Sequence, residues 1–142
     1  MAIRDGIHTT NYDATFIEVA DDCPVPEATV PVDRGSAPSI ATMQFEMIAA
    51  HPYAFTSDEV IFEVFAERAG IPADQRPAAR EEYFSVGRAC LRASPLGKRW
   101  GWGVHSDGDG RVAVVPLGSP EYDRLRESAD VAHLKAMRSS RS

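Results

Sequence analysis

The sequence predicts an α+β fold: a small antiparallel sheet that includes a β-hairpin at about residues 100–116, with three to four helices packed on one face. Two observations predict this class. Apolar residues recur at helical spacing between residues 39 and 86, and two extended runs joined by a turn follow them. A chain of 142 residues has room for one core and hardly for two, so we expect residues 1–142 to form a single domain.

The first part of the chain is predicted to be extended. Residues 1–7 are interpreted as an N-terminal extension of the domain, and residues 138–142 as a frayed tail. The sequence TFIEVA at residues 15–20 predicts a short strand. Residues 21–38 contain several prolines and are predicted to be a loop or an edge segment without helix, because proline fixes φ and lacks an N–H donor.

Three helices are predicted in the middle of the chain. The first covers residues 39–50, where apolar side chains form a stripe. The second begins at Thr56, which forms a capping-box pattern with Glu59, and it ends at Gly70. The third covers about residues 74–86.

The sequence pattern in the second half of the chain predicts mainly β structure. The extended runs at residues 100–105 and 111–116 flank the sequence Ser-Asp-Gly-Asp-Gly, whose residues accept positive φ, so we expect a hairpin here. Ser119 is placed to cap a further short helix that runs to about Glu127. Residues 133–137 favour a last strand.

Composition argues against several classes of protein. Hydrophobic residues make up 44% and charged residues 25% of the chain, as in ordinary globular domains. No apolar run approaches the ~20 residues of a membrane span, and the first twelve residues do not resemble a secretory signal. Cys23 and Cys90 are therefore expected to be reduced thiols in a cytoplasmic protein. A zinc site built from both cysteines and two histidines is an alternative, but no short paired spacing favours it, and we expect neither metal nor cofactor.

Positive charge is concentrated in one acid-free segment of an acidic chain. The net charge is -6, and residues 1–82 hold 5 basic and 15 acidic side chains, whereas residues 83–106 hold no acid and four basic residues: Arg88, Arg92, Lys98 and Arg99. If these side chains share one surface, they would attract a carboxylate, a phosphate or an acidic partner. The alternative is that they pair with the surplus acids of the first half. Nucleic acid is not expected as a partner, because the chain is acidic and lacks a recognised binding motif.

The first hairpin strand and the segment before it contain most of the candidate binding and catalytic residues. Alternation would place Trp102 and Val104 on one face and Gly103 and His105 on the other. The glycines would leave a gap for a ligand, or, as the alternative, for a tightly packed helix. Cys90 and His105 are a candidate nucleophile–base pair if nearby arginines lower the pKa of the thiol; an inert, buried Cys90 is the alternative.

Several phrases of the sequence resemble a known family. They are HTTNY (8–12), FIEVADDCP (16–24), CLRASPLGKRWGWGVHSD (90–107) and KAMRSSR (135–141). They are similar to phrases in a family of short, uncharacterised proteins classed as a domain of unknown function. The resemblance covers nearly the whole chain and implies that it is built as one domain. It implies no activity, cofactor or partner.

These observations favour a small, non-catalytic binding or interaction module with a basic, aromatic pocket for an anionic small molecule or an acidic partner. The residues expected to bind this ligand are Arg92, Lys98, Arg99, Trp102 and His8. The alternative is a small enzyme that uses Cys90 and His105 on an anionic or electrophilic substrate. No membrane contact is expected, and a homodimer is left open.

Overall fold

The computed structural model describes residues 2–4, 7–33 and 35–139. Within these residues the chain forms six strands and five α-helices. In chain order they are β1 (Ala2–Arg4), β2 (Ile7–Thr9), β3 (Thr15–Glu18), α1 (Ile40–Ala50), α2 (Ser57–Ala69), α3 (Arg76–Tyr83), α4 (Pro95–Arg99), β4 (Trp102–Ser106), β5 (Val112–Pro116), α5 (Pro120–Glu127) and β6 (Ala132–Lys135). Short 3-10 turns precede α3 at Ala73–Gln75 and α4 at Leu91–Ala93.

Strands β3 to β6 form one four-stranded sheet in the order β5-β4-β3-β6, and β1 and β2 form a separate antiparallel ribbon. β4 is antiparallel to both β3 and β5, which confirms the α+β class and the predicted hairpin. β6 is parallel to β3, however, so the sheet is mixed and not wholly antiparallel. The parallel pairing arises because the chain crosses back over the sheet through α5 before it enters β6.

The two faces of the sheet carry two separate apolar clusters. Ile17 and Val104 lie on the first face and pack with Ile48 of α1 and Val60 of α2. Phe16 lies on the second face and packs with Tyr122 of α5, with 5.1 Å between the ring centroids. Alternate side chains of a strand point to opposite faces, so helices cover both faces here instead of the one face that was expected.

Local capping signals place the helix ends. The Thr56 hydroxyl accepts a hydrogen bond from the Glu59 backbone N–H, and the Glu59 carboxylate accepts one from the Thr56 N–H. Gly70 ends α2 with φ of 70°, a conformation that costs a glycine little. The predicted capping box and C-cap are therefore confirmed. α3 ends at Tyr83, a few residues before the end that the sequence predicted.

Two elements were not predicted. Residues 2–4 of the expected N-terminal extension pair with β2, which makes them part of a ribbon. α4 interrupts the run before the hairpin: Ser94 caps it by accepting from the Leu96 N–H, and Leu96 is buried. At the other end, Ser139 of the expected tail donates its backbone N–H to the carboxylate of Asp22, while residues 140–142 lie outside the described part. Within that part, no helix is long and apolar enough to cross a bilayer.

Candidate functional site

The four basic side chains of the acid-free segment make no ion pair with an acid in the part of the chain that the structure describes. Among the described residues, no carboxylate lies within ion-pair distance of any of them. Arg88 instead lies over the ring of Tyr83, 4.0 Å from the centroid, and its Nε donates to the Tyr83 carbonyl. Arg92 donates its Nε to the carbonyl of Lys135 at 2.7 Å. Within the described ranges, these cations are therefore not neutralised by ion pairs with the acids of the first half.

Lys98 and Arg99 lie together at the end of α4 and line a groove of about 790 Å³. Arg68, from the end of α2, lines the same groove. Its walls include the apolar side chains of Val32, Ile40 and Trp100. We call this site the basic groove and define it by its six main lining residues: Val32, Ile40, Arg68, Lys98, Arg99 and Trp100.

Asp33 is the one acid among the described residues that line the basic groove, and one of its two oxygens, Oδ1, accepts two hydrogen bonds. Asp33 accepts a hydrogen bond from the Thr42 hydroxyl at 2.7 Å and one from the Ser39 backbone N–H at 3.0 Å. These two bonds lower the pKa of the Asp33 carboxyl, so it stays ionised and holds the start of α1. Three cations and one engaged carboxylate leave the groove with an excess of positive charge.

The other expected ligand-binding residues lie elsewhere. Trp102 donates its Nε1 to the Thr29 carbonyl at 2.9 Å, and its ring packs on Phe45, so its neighbour Trp100 supplies the aromatic wall of the groove. His8 lies in β2, and its Nδ1 is buried without a hydrogen-bond partner in the described part of the chain. Arg92 is at β6. Of the five expected residues, the structure brings together Lys98 and Arg99.

Cys90 and His105 lie on opposite sides of the sheet. The Cys90 sulfur is 3.5 Å from the hydroxyl of Tyr12, a contact that raises the pKa of that phenol. The next residue, Leu91, is buried in the first-face cluster with Ile17 and Val104. His105 follows Val104 in β4 and therefore points to the second face. The structure thus gives the candidate nucleophile and the candidate base different partners.

The partner of His105 is Tyr53. Their Nδ1 and hydroxyl atoms are 2.8 Å apart, and burial lowers the pKa of the imidazole although Asp107 and Glu121 oppose that change. Burial also raises the pKa of the Tyr53 phenol. Tyr53 has φ of 58°, which is rare for a bulky residue, and its N–H donates to the Val112 carbonyl. The pair is a neutral imidazole bound to a neutral phenol, and the sequence contains no local signal for it because the two residues are 52 positions apart.

The phrase HTTNY has a structural explanation. The buried carboxylate of Asp58, in the first turn of α2, accepts hydrogen bonds from the hydroxyls of Thr9 and Thr10 and from the Thr10 N–H, all at 2.6 Å. The Asp58 N–H in turn donates to the Asn11 side chain, and the Thr10 and Ser57 hydroxyls are 2.8 Å apart. This network holds the segment after β2 on α2.

Sequence reasoning missed Arg68 and Trp100 as residues of the basic groove. Arg68 belongs to the acidic first half of the chain, where a single arginine carries no signal. Trp100 was assigned to the strand, whereas it lies at the C-cap of α4, outside β4. No set of three or more His, Cys, Asp or Glu side chains that could hold a metal ion occurs in the described residues.

Comparison with known proteins identifies one family. The model of a family of unknown function, DUF6157, matches residues 7–142, nearly the whole chain. No curated protein and no solved structure matches the chain. The family therefore supplies no ligand or reaction for this chain.

Proposed function

Starting from the fact that the chain belongs to the DUF6157 family of unknown function, we propose that it is a non-catalytic binding module whose basic groove holds an anionic small molecule. One observation carries the proposal: Arg68, Lys98 and Arg99 line a single groove, and among the described residues none of them has a carboxylate partner. Cations that fold onto one concave surface create a positive potential that an anion relieves.

The size and donors of the groove suit a small molecule. Its volume of about 790 Å³ is in the range of ligand pockets, which is ~300–1,000 Å³. Among the described residues, Arg68 makes one weak hydrogen bond, from Nη1 to the Pro38 carbonyl at 3.4 Å, so most of its five N–H donors can serve a ligand. Hydrogen bonds from guanidinium or ammonium groups to a carboxylate or phosphate are the strong, charge-assisted kind.

The backbone under Lys98 and Arg99 is rigid, which favours binding because less freedom is lost when the ligand arrives. Gly97 is buried, and its carbonyl accepts a hydrogen bond from the Ala20 N–H at 2.9 Å. A Cβ atom on Gly97 would lie 2.8 Å from the Cβ atom of Ala136, so α4 packs directly against the residue after β6. The two cations therefore extend from a helix that is fixed on the sheet.

The test is a titration with anions and two matched double variants. We expect phosphate, citrate or a monocarboxylate to raise the melting temperature of the protein, and the variant Lys98→Ala/Arg99→Ala to bind the active anion about tenfold or more weakly, because each lost charged hydrogen bond is worth about 1.5–3 kcal/mol. Arg124→Ala/Arg126→Ala removes the same charge from exposed positions on α5 and should bind normally. Equal weakening in both variants would mean that net charge, and not the groove, attracts the anion.

The alternative hypothesis, a small enzyme that uses Cys90 and His105, gains no support from the geometry. The two residues lie next to different faces of the sheet. Each already has a phenol partner, Tyr12 for the thiol and Tyr53 for the imidazole. We retain a reducing, cytoplasmic location as part of the proposal, since both Cys23 and Cys90 are free thiols.

A further inference from the structure

The basic groove continues into a second groove of different character. This second groove lies between α1 and α2 and also has a volume of about 790 Å³. We call it the apolar groove and define it by Met43, Ile61, Val64, Phe65 and Tyr83. Ala37, Ile40 and Arg68 line both grooves, so the two grooves adjoin, and we call them together the depression.

The depression exposes large apolar side chains along its length. Val32 is 65% exposed in the basic groove, Ile40 is 42% exposed where the grooves meet, and Phe65 is 40% exposed in the apolar groove. Single exposed apolar residues are ordinary, but several along one concave path mark a surface that is covered in use. An apolar ligand segment would gain free energy by covering them.

Charge is distributed unevenly along the depression. Lys98 and Arg99 are at one end, and the apolar groove at the other end holds one acid, Glu67, whose carboxylate is 3.0 Å from the Arg76 guanidinium. Arg68 lies between the two ends, where its methylene stem can contact an apolar chain while its guanidinium faces an anion. The complementary ligand therefore has a negative head and an apolar tail. A compact polyanion would leave the Phe65 end uncovered.

We propose that the ligand is a medium- or long-chain carboxylate, a conclusion that rests on the proposed anion-binding function. Its carboxylate binds Lys98 and Arg99, and its alkyl chain passes Ile40 and Arg68 into the apolar groove, where it ends against Phe65 and Tyr83. No covalent step is involved.

The test is a calorimetric titration with hexanoate, octanoate and decanoate below their micelle concentrations, together with citrate, phosphate and decanol. The dissociation constant should fall about two- to fourfold for each added CH₂ group, because each buried methylene adds a similar increment of apolar burial. Decanol, which has the tail without the charge, should bind at least about tenfold more weakly than decanoate, since it lacks the charge-assisted contact.

Two variants test whether the alkyl chain of the ligand lies in the apolar groove. Phe65 and Met43 line the apolar groove and not the basic groove. Phe65→Ser and Met43→Ser should each flatten the dependence on chain length and weaken decanoate binding about tenfold, while hexanoate and citrate binding changes little. Val86→Ser is the matched control, because Val86 is 52% exposed and lies outside both grooves. Circular dichroism on each variant establishes that it is folded.

The outcomes separate this inference from the proposed function. If citrate or hexanoate binds as tightly as decanoate, the tail does not use the apolar groove, and the inference is overturned while anion binding stands. If none of the anions binds, the proposed function fails as well. Decanol binding as tight as decanoate binding overturns the role of the cationic end. A dimer that Phe65→Ser dissociates, without any dependence on chain length, assigns the apolar groove to a second copy of the chain and also overturns the inference.

Discussion

His105 and Cys90 show that the face a side chain takes decides its chemistry. Both residue types can act in catalysis, but each is half-buried here and contacts a tyrosine on its own side of the sheet. Because burial lowers the pKa of His105, its ring is neutral at pH 7. The ring shares one hydrogen bond with the Tyr53 hydroxyl. The positive φ of Tyr53 is an unfavourable conformation for a bulky residue, and the Tyr53 contacts with His105 and with the Val112 carbonyl stabilise it.

Asp58 is the second residue whose surroundings matter more than its type. It is 7% exposed, and no basic side chain of the described residues lies within ion-pair distance of it. Three hydrogen bonds from Thr9 and Thr10 and its position in the first turn of α2 stabilise the negative charge instead. The polar phrase of the N-terminal segment therefore fixes that segment on α2.

We expect Asp58→Ala to lower the free energy of unfolding by about 2–4 kcal/mol. The substitution removes several charged hydrogen bonds and leaves the buried Thr10 N–H without an acceptor. Urea denaturation followed by circular dichroism measures the change. The control is Asp74→Ala, at an exposed position before α3, which should stay within about 0.5 kcal/mol of wild type. Equal effects of the two substitutions would contradict the role of Asp58.

At the scale of elements, α4 and α5 position the two ends of the hairpin. α4 places Lys98 and Arg99 before β4, and α5 follows β5 and covers the second face of the sheet. α5 approaches β4 at Gly103, which has no side chain to keep it away. The glycine gap that the sequence indicated exists, and two aromatic rings fill it, those of Phe16 and Tyr122, instead of a ligand.

Gly103→Ala tests this packing. A Cβ atom at position 103 would lie 2.9 Å from the Phe16 ring, closer than real Cβ contacts, and 3.0 Å from the Tyr122 ring, tighter than most of them. We expect a loss of about 1–3 kcal/mol of stability from overpacking, measured by thermal and urea unfolding. Gly108→Ala, in the hairpin turn with nothing within 4 Å, should be close to neutral. A neutral effect at Gly103 would show that α5 does not pack tightly on the sheet.

At the scale of the whole molecule, the C-terminal strand completes the sheet. The Ala132 N–H donates to the Ala14 carbonyl and the Ala136 N–H to the Glu18 carbonyl, both at 2.8 Å, and this pairing makes β3 a central strand. Ala136 is buried and also contacts α4. The C-terminal strand therefore supports both the sheet and α4, and the basic groove depends on it through Lys98 and Arg99.

A chain that ends at Asp130 should not unfold cooperatively. Without β6, β3 becomes an exposed edge, and apolar surface of the first-face cluster meets water. Near-ultraviolet circular dichroism and a thermal melt compare this truncation with Lys135→Ala, which keeps β6 and removes only the exposed Lys135–Asp21 ion pair. Such pairs contribute little, so the variant should melt like wild type. A sharp, unchanged transition in the truncated chain would show that the sheet does not need β6.

Much of the fold and part of the site followed from the sequence. The capping box of α2, the hairpin and the cap of α5 were predicted because each depends on residues within a few positions of one another. The acid-free segment likewise predicted that basic side chains would share a surface, and Lys98 and Arg99 do lie together, since neighbours on one turn of a helix stay neighbours in space. α4 itself was missed because five residues are too few to show a helical period.

Only the tertiary structure decided the contacts between residues that are far apart in sequence, because local sequence patterns carry no information about them. The parallel direction of β6, the position of α5 on the second face, the Tyr53–His105 contact and the place of Arg68 beside Lys98 all join residues far apart in sequence. A one-residue difference in position along a strand reverses the face that a side chain takes, which is how Val104 and His105 come to lie in different environments. Composition and spacing determined which groups this protein has, and the packing of helices on both faces of the sheet determined which of them meet.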